Sequence, residues 1–232
     1  MLILGIETAT TQVGCAIGSH EGVRAAIHSA RAKRHCENLT PAIEFLCVQA
    51  EISLDDIGLV AVDVGPGLFT GLRVGLATAK AIAFARRVPM IGVSSLDLLA
   101  FPVRFTPRLI VAAIDARRGE LYYAFYRQVP GGVQRVTEYT VGSPDDLASE
   151  LLATGEDLLL VGDGFHRYRE VFEGMAKVEI VDQDSSQPSA SSLVQLAHAR
   201  ELREDFSQVA DIEPIYLRRP DAEINWTTRD SR

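Results

Sequence analysis

The chain has 232 residues, 47% of them hydrophobic and 23% charged, with a formal charge of −8. That length suits one large domain or two smaller ones with real cores, and the acidic balance leaves nucleic acid only a local basic patch or a partner's surface to bind. Cys15, Cys36 and Cys47 show no pairing pattern and no basic leader precedes MLILGI, so a reduced, cytoplasmic setting is expected; the longest nearly apolar run, Val74 to Ala85, is about a dozen residues where a membrane span needs roughly 20, so no span is expected.

Leu2 to Ile6 reads as a buried strand, and Val13 to Gly18 and Gly22 to Ser29 as antiparallel strands joined at Ser19–Glu21. A helix is predicted from about Thr40 to Ala50, with Thr40 as cap, Pro41 in the first turn, and Leu39, Ile43, Leu46 and Ala50 at helical spacing. Ile57 to Val64 is a continuous apolar strand broken only by Asp63. A glycine-rich loop, a helix to about Arg86, a short strand at Met90–Val93 and a short helix from Ser94–Ser95 follow. The pattern then restarts. Arg108 to Asp115 is a buried strand ending in an acid, as the first strand ends at Glu7. Glu120 to Arg127 and Gly132 to Tyr139 pair across a PGG turn, and a helix near Asp145–Leu152, strands at Leu158–Gly162 and Val178–Val181, and a helix at Ala190–Arg200 complete it. This doubled βββ-α-β-α order predicts an α/β protein of two lobes, each a mixed sheet with packed helices. The lobes are placed at 1–102 and 103–220, with a polar tail from 221 to 232 whose one large apolar group is Trp226.

The loop DVGPGLFTGLRVG, residues 63–75, looks like a phosphate cradle and fails both specific tests. A P-loop needs Lys and Ser or Thr after its last glycine, but Leu72 and Arg73 follow Gly71; in the dinucleotide fingerprint the third glycine falls one residue late. What remains is a strand-to-helix turn with exposed N–H groups that attract anions weakly. The following helix carries two stripes, one of small residues (Gly75, Ala79, Ala83, flanked by Leu72 and Leu76) and a second of Val74, Ala77, Ala81 and Phe84, with Arg73 and Lys80 on its edge. A surface helix buries one stripe. The second needs a cover from the Thr40 helix, another chain or both, or lies in the chain's own core.

No two of the five histidines lie within five residues, no cysteine pair has zinc-ligand spacing, and there is no G-x-S-x-G elbow. His35 beside Cys36 reads as a helix-entry histidine rather than a catalytic base. The one candidate catalytic pair is Glu7 and Asp115 at equivalent strand ends, with Thr8 and Thr10 beside the first, which could hold a magnesium–nucleotide complex between the lobes; turn chemistry is the ordinary alternative.

Six ordered blocks carry a resemblance: GIETAT (5–10), GPGLFTGLRVG (65–75), AKAIA (79–83), GVSSLDLLA (92–100), IDARRGELYYAFY (114–126) and PIYLRRP (214–220). Together they resemble the bacterial TsaB (YeaZ) family, from the first strand nearly to the tail. The resemblance implies a duplicated ASKHA (actin, sugar kinase, Hsp70-like) fold. It also implies a non-catalytic role in making threonylcarbamoyladenosine next to the tRNA anticodon. The partners implied are the transferase paralogue TsaD as heterodimer and the ATPase TsaE; tRNA is met only through the complex. No cofactor is implied for the chain alone, with ATP or ADP in the complex, and a homodimer when the partner is missing. The paralogue's two metal-binding histidines align with Ser95 and Leu99, neither of which can replace an imidazole, so no metal site and no catalytic residue is expected. The implied partner surface is the Thr40 helix and the helix after the loop: His35, Leu39, Ile43, Leu46, Phe69, Arg73, Val74, Ala77, Lys80 and Ala81. Which stripe faces outward is open at this point, so Ala79→Trp and Ala77→Glu are both expected to break the dimer. The rivals are an autonomous ATPase or phosphotransferase using Glu7 and Asp115, and a peptidase, for which these residues give no support.

Overall fold

A computed structural model describes residues 1–29 and 35–218, with the backbone alone described for His35 and Cys36. The polar tail with Trp226 therefore falls outside the described residues, as does the side chain of His35.

Two sheets of the same topology form the protein. In the first, β1 (Leu2–Glu7), β2 (Val13–Ser19), β3 (Gly22–Ser29), β4 (Ile57–Asp63) and β5 (Met90–Val93) lie in the order β3-β2-β1-β4-β5. The first three are antiparallel, with Ile6 opposite Cys15, and β4 and β5 join in parallel, with Ile6 beside Val62. In the second, β6 (Leu109–Arg117), β7 (Glu120–Val129), β8 (Gly132–Arg135), β10 (Leu158–Val161) and β11 (Val178–Ile180) take the order β11-β10-β6-β7-β8, while β9 (Thr140–Gly142) pairs with β7. Reading β6 for β1, β7 for β2, β8 for β3, β10 for β4 and β11 for β5 gives the same order and the same directions. The duplication read from the element order is therefore a duplication of the fold. The expected strand 132–139 ends early, at Arg135: just past its end Phe125 N donates to Thr137 Oγ1, a side chain taking the place of a ladder carbonyl, and β9 starts only at Thr140.

Seven helices cover the sheets among the described residues: α1 (His35–Gln49), α2 (Phe69–Arg86), α3 (Ser95–Ala100), α4 (Pro144–Thr154), α5 (Asp163–Arg167), α6 (Arg169–Phe172) and α7 (Ala190–Glu201). The short α5 and α6 carry too little periodic sequence to be legible beforehand. α1 starts at His35, not at the Thr40–Pro41 signal, and Pro41 sits inside it. Proline there removes one ladder bond in the second turn, which the buried stripe of Leu39, Ile43 and Leu46 outweighs.

Strand alternation divides the core into four layers. Leu4, Ile6 and Ile17 face α1 and α2, while Ile3, Ala16 and Leu59 face α7. Leu109, Val111 and Ala113 face α4–α6, while Ile110, Ala112 and Ile114 face α3. The covering helices are thus exchanged. α3 belongs in sequence to the first lobe and packs on the second sheet, and α7 follows the second sheet and packs on the first. A division at 102/103 separates the sheets but not their helices. Residues 207–215 also return to the first lobe: Ser207 bridges Met90, Ile215 N donates to Val64 O, and Ile212 lies in the α2 core. Among the described residues no helix is long and apolar enough to cross a membrane.

Candidate functional site

The glycine loop is built for close approach. Leu68 N donates to Ala9 O at 2.6 Å, and a Cβ on Gly67 would overlap that same carbonyl. Gly65 follows a turn in which its N–H is taken by Asp63 Oδ1 at 2.7 Å, and Gly65–Pro66 is cis. Thr8 Oγ1 donates to Gly71 O at 2.8 Å, against the α2 backbone where a Cβ on Gly75 would overlap it. Thr10 is buried, and its hydroxyl accepts from Gln12 N. Loop, helix and threonines are therefore spent on one another, which is turn chemistry.

The expected acids are occupied too. Glu7 is fully buried; Ala9 N donates to its Oε1 at 2.8 Å. Burial and then the neighbouring Asp63 push its carboxyl well above the ordinary range. Asp63, missed as a partner of Glu7 in the sequence, is pushed up to about 7 by burial, against hydrogen bonds from Ser95 Oγ at 2.6 Å and Gly65 N that favour its charged form. Its Oδ2 is buried without a hydrogen-bond partner. Asp115 lies across the cleft with two guanidiniums on it: Arg117 at 3.1 Å and Arg167 at 3.4 Å from Oδ2. Asp115 spends its outer oxygen on these two guanidiniums, and no cluster of three His, Cys, Asp or Glu suited to a metal occurs among the described residues. Ser95, at the first aligned histidine position, holds Asp63, and Leu99, at the second, packs against the second sheet.

One serine–histidine contact was not legible in the sequence. His166 Nε2 lies 2.8 Å from Ser186 Oγ and 2.9 Å from Val181 O. A carbonyl can only accept, so Nε2 carries the proton, and Ser186 Oγ donates onward to Asp182 O at 3.0 Å. The imidazole is a donor to this hydroxyl, the reverse of what a peptidase base requires.

The open feature is helical. On α2 the small-residue stripe is inside, with Ala79 wholly buried and Gly75, Ala83, Leu72 and Leu76 beside it. The second stripe faces out: Ala77 and Ala81 are exposed, Val74 is half-buried, and Phe84 is 80% exposed. α1 lies alongside and adds Phe45 at 53% and Val48 at 70% exposure. Phe45 and Val48 were not singled out beforehand; they are the apolar residues left over once Leu39, Ile43 and Leu46 define the core stripe. Those three are buried in the chain's own core and form no outer surface, which corrects their assignment to the interface. Phe69 and Arg73 stack on each other at 3.8 Å and meet Tyr216, and Lys80 Nζ donates to Ala210 O at 3.4 Å, so the returning 207–216 segment covers one flank of α2.

Two lobes of one topology with exchanged helices, a glycine loop closed on the strand-end acids, and an apolar helix pair left open define the class, a duplicated ASKHA-type α/β fold. The comparisons agree. The family model for TsaD, tRNA N6-adenosine threonylcarbamoyltransferase, matches residues 24–226. The Escherichia coli tRNA threonylcarbamoyladenosine biosynthesis protein TsaB is 29% identical over 94% of this chain and 95% of its own. YeaZ from Pseudomonas aeruginosa superposes with a TM-score of 0.79 at 25% identity, covering 93% of this chain and 99% of that one. An uncharacterised Mycobacterium leprae protein is 42% identical over 150 residues, 63% of this chain and 40% of that longer protein. The chain belongs to the threonylcarbamoyltransferase family, and within it to the TsaB (YeaZ) branch.

Proposed function

We propose that this chain is a non-catalytic subunit in tRNA threonylcarbamoyladenosine synthesis. It docks the outer face of α1 and α2 on the TsaD-type transferase paralogue, with a TsaE-type ATPase joining the pair and tRNA met only through the complex. The observation that carries this reading is that the adjacent helices α1 and α2 leave Phe45, Val48 and Phe84 in solvent together with Ala77 and Ala81. Large apolar groups grouped on one face mark an interaction surface, and the small alanines between them let a partner helix approach closely. A stable contact here buries on the order of 800 Å² per partner. Without the partner the same face supports a two-fold homodimer.

The test is reconstitution. The chain is expected to be silent alone and to restore threonylcarbamoylation of tRNA when added to the transferase, the ATPase and threonylcarbamoyl-AMP. Phe84→Glu should remove both co-elution with the transferase and this restoration. Modification that proceeds equally well without the chain, or magnesium-dependent ATP turnover by the chain alone that Glu7→Gln abolishes, would overturn the reading.

A further inference from the structure

The second sheet ends in an open edge. β11 pairs with β10 on one side, and among the described residues no strand lies on the other. Leu158 N donates to Lys177 O and Val181 N donates to Leu160 O, so Lys177, Val181 and, between them, Glu179 turn their main chain toward β10. Alternation then turns the N–H and C=O groups of Val178 and Ile180 outward, a short row that a further strand would complete.

Beside that edge lies a cavity of about 370 Å³, lined by Val103 and Phe105 from the α3–β6 connection and by Leu159, Glu179, Ile180 and Asp182, among others. Val103 and Val181 pack in the layer of α3, while Val178 and Ile180 pack on the opposite face, so Ile180 meets the cavity with its main chain. The cavity exists because α3 is short. It packs on β6, β7 and β8, and leaves the same face of β10 and β11 to residues 101–106. Phe105 stands there 78% exposed, yet it is held: the Arg104 guanidinium lies 4.2 Å over its ring and 3.9 Å over Phe101, and donates to Phe101 O at 2.7 Å. A ring already fixed in water gives up little freedom on contact. The rim is acidic. Arg108 takes Glu179, but Asp182 is exposed and carries no ion pair among the described residues.

We infer that β11 receives an extended segment of a partner protein, which continues the sheet, sets one apolar side chain in the cavity against Phe105 and Leu159, and brings a basic side chain to Asp182. Main-chain pairing supplies the affinity and the cavity the choice of sequence. A second copy of this chain fits poorly, because two-fold pairing of so short an edge sets Glu179 and Asp182 near their own images. The edge belongs to the second sheet, whereas α1 and α2 cover the first, so this surface stands or falls apart from the docking face proposed above.

Fluorescence anisotropy of the full chain with labelled, end-blocked octapeptides tests this. One probe alternates threonine and valine around a central phenylalanine, with lysine two positions to either side of it. A second has glutamate for both lysines, and a third is the lysine probe with its inner amides N-methylated. The lysine probe is expected to bind, the glutamate probe more weakly, and the N-methylated probe not at all. Phe105→Ser should weaken the lysine probe at least about 10-fold, and Asp182→Lys should invert the preference between lysine and glutamate. Leu152→Ser, which removes an exposed leucine on α4, should change nothing. Amide exchange at Val178 and Ile180 should slow on binding. No binding of the lysine probe up to about 1 mM, binding that leaves those two amides exchanging as before, or binding indifferent to both Phe105→Ser and Asp182→Lys overturns the inference. So does self-association of the chain that Phe105→Ser abolishes, which gives the edge to a second copy.

Discussion

Glu7 and Asp63 are two carboxyls sealed under the same loop, and burial acts on both in one direction. Asp63 moves from an ordinary 3.8 to about 7, so between those values the folded state holds a proton that the unfolded state has lost. Stability from this group is full below about pH 4 and drains as pH rises toward 7, by a few kcal/mol, with Glu7 adding to the same slope. Glu7→Gln keeps the acceptor for Ala9 N and removes the charge. It is expected to flatten the fall in thermal stability between pH 5 and 8 and to be the more stable protein at pH 8; parallel pH profiles for the two proteins would sink this account. A second expectation concerns Gly67, where an added Cβ meets the Ala9 carbonyl, a backbone atom that cannot swing aside. Gly67→Ala should lower stability by about 1–3 kcal/mol in chemical denaturation, whereas a glycine that served only a phosphate would leave it unchanged. From the sequence, the glycines and Glu7 were visible as a group, and the failure of the phosphate fingerprints was visible too. The partnership of Glu7 with Asp63 was not, because it arises from two parallel strands far apart in the chain that only the sheet order brings side by side.

α2 shows what helical periodicity can and cannot say. Its two stripes were legible, since Gly75, Ala79 and Ala83 repeat every fourth residue and Val74, Ala77, Ala81 and Phe84 lie off that line. Which stripe is inside was not, because a period names faces without orienting them. The structure orients them by Thr8: its hydroxyl against Gly71 and Gly75 demands a side-chain-free surface, so the glycine stripe must turn inward. The substitutions now separate. Ala79 is wholly buried, so Ala79→Trp overpacks the core and is expected to unfold the chain, not to report on docking. Ala77→Glu and Phe84→Glu place a charge in solvent and should leave the circular dichroism spectrum and melting temperature nearly unchanged. A carboxylate desolvated at a partner's apolar surface is costly, so each should weaken co-elution with the transferase at least 10-fold. Co-elution retained by both would put the contact elsewhere. The cover over the other flank of α2 could not be read beforehand, because residues 207–216 are neither periodic nor strongly apolar; Ile212 and Ile215 count only through where the chain returns.

The repeated element order was sufficient to foresee two equivalent sheets, and β3-β2-β1-β4-β5 against β8-β7-β6-β10-β11 is that repeat in space. It could not reveal the exchange of α3 and α7, since an amphipathic helix carries no label for the sheet it will cover. The exchange decides how the molecule unfolds. Leu193, Val194 and Ala197 of α7 close the face of the first sheet formed by Ile3, Ala16, Leu59 and Ile91, and Leu96, Leu99 and Ala100 of α3 close one face of the second. Burying a leucine or valine contributes roughly 1.5–3 kcal/mol, and total stability is about 5–15 kcal/mol, so neither sheet keeps its margin once the other lobe's helix leaves. The full chain is therefore expected to melt in one calorimetric transition with equal calorimetric and van't Hoff enthalpies. A fragment of residues 1–102, which retains every strand of the first sheet but loses α7 and leaves Leu96, Leu99 and Ala100 of α3 without the sheet they cover, should show no cooperative transition and should bind a hydrophobic dye. Two resolved transitions in the full chain, or a cooperative melt in the fragment, would mean that the lobes are independent and that the exchanged helices add nothing to what each sheet achieves with its own.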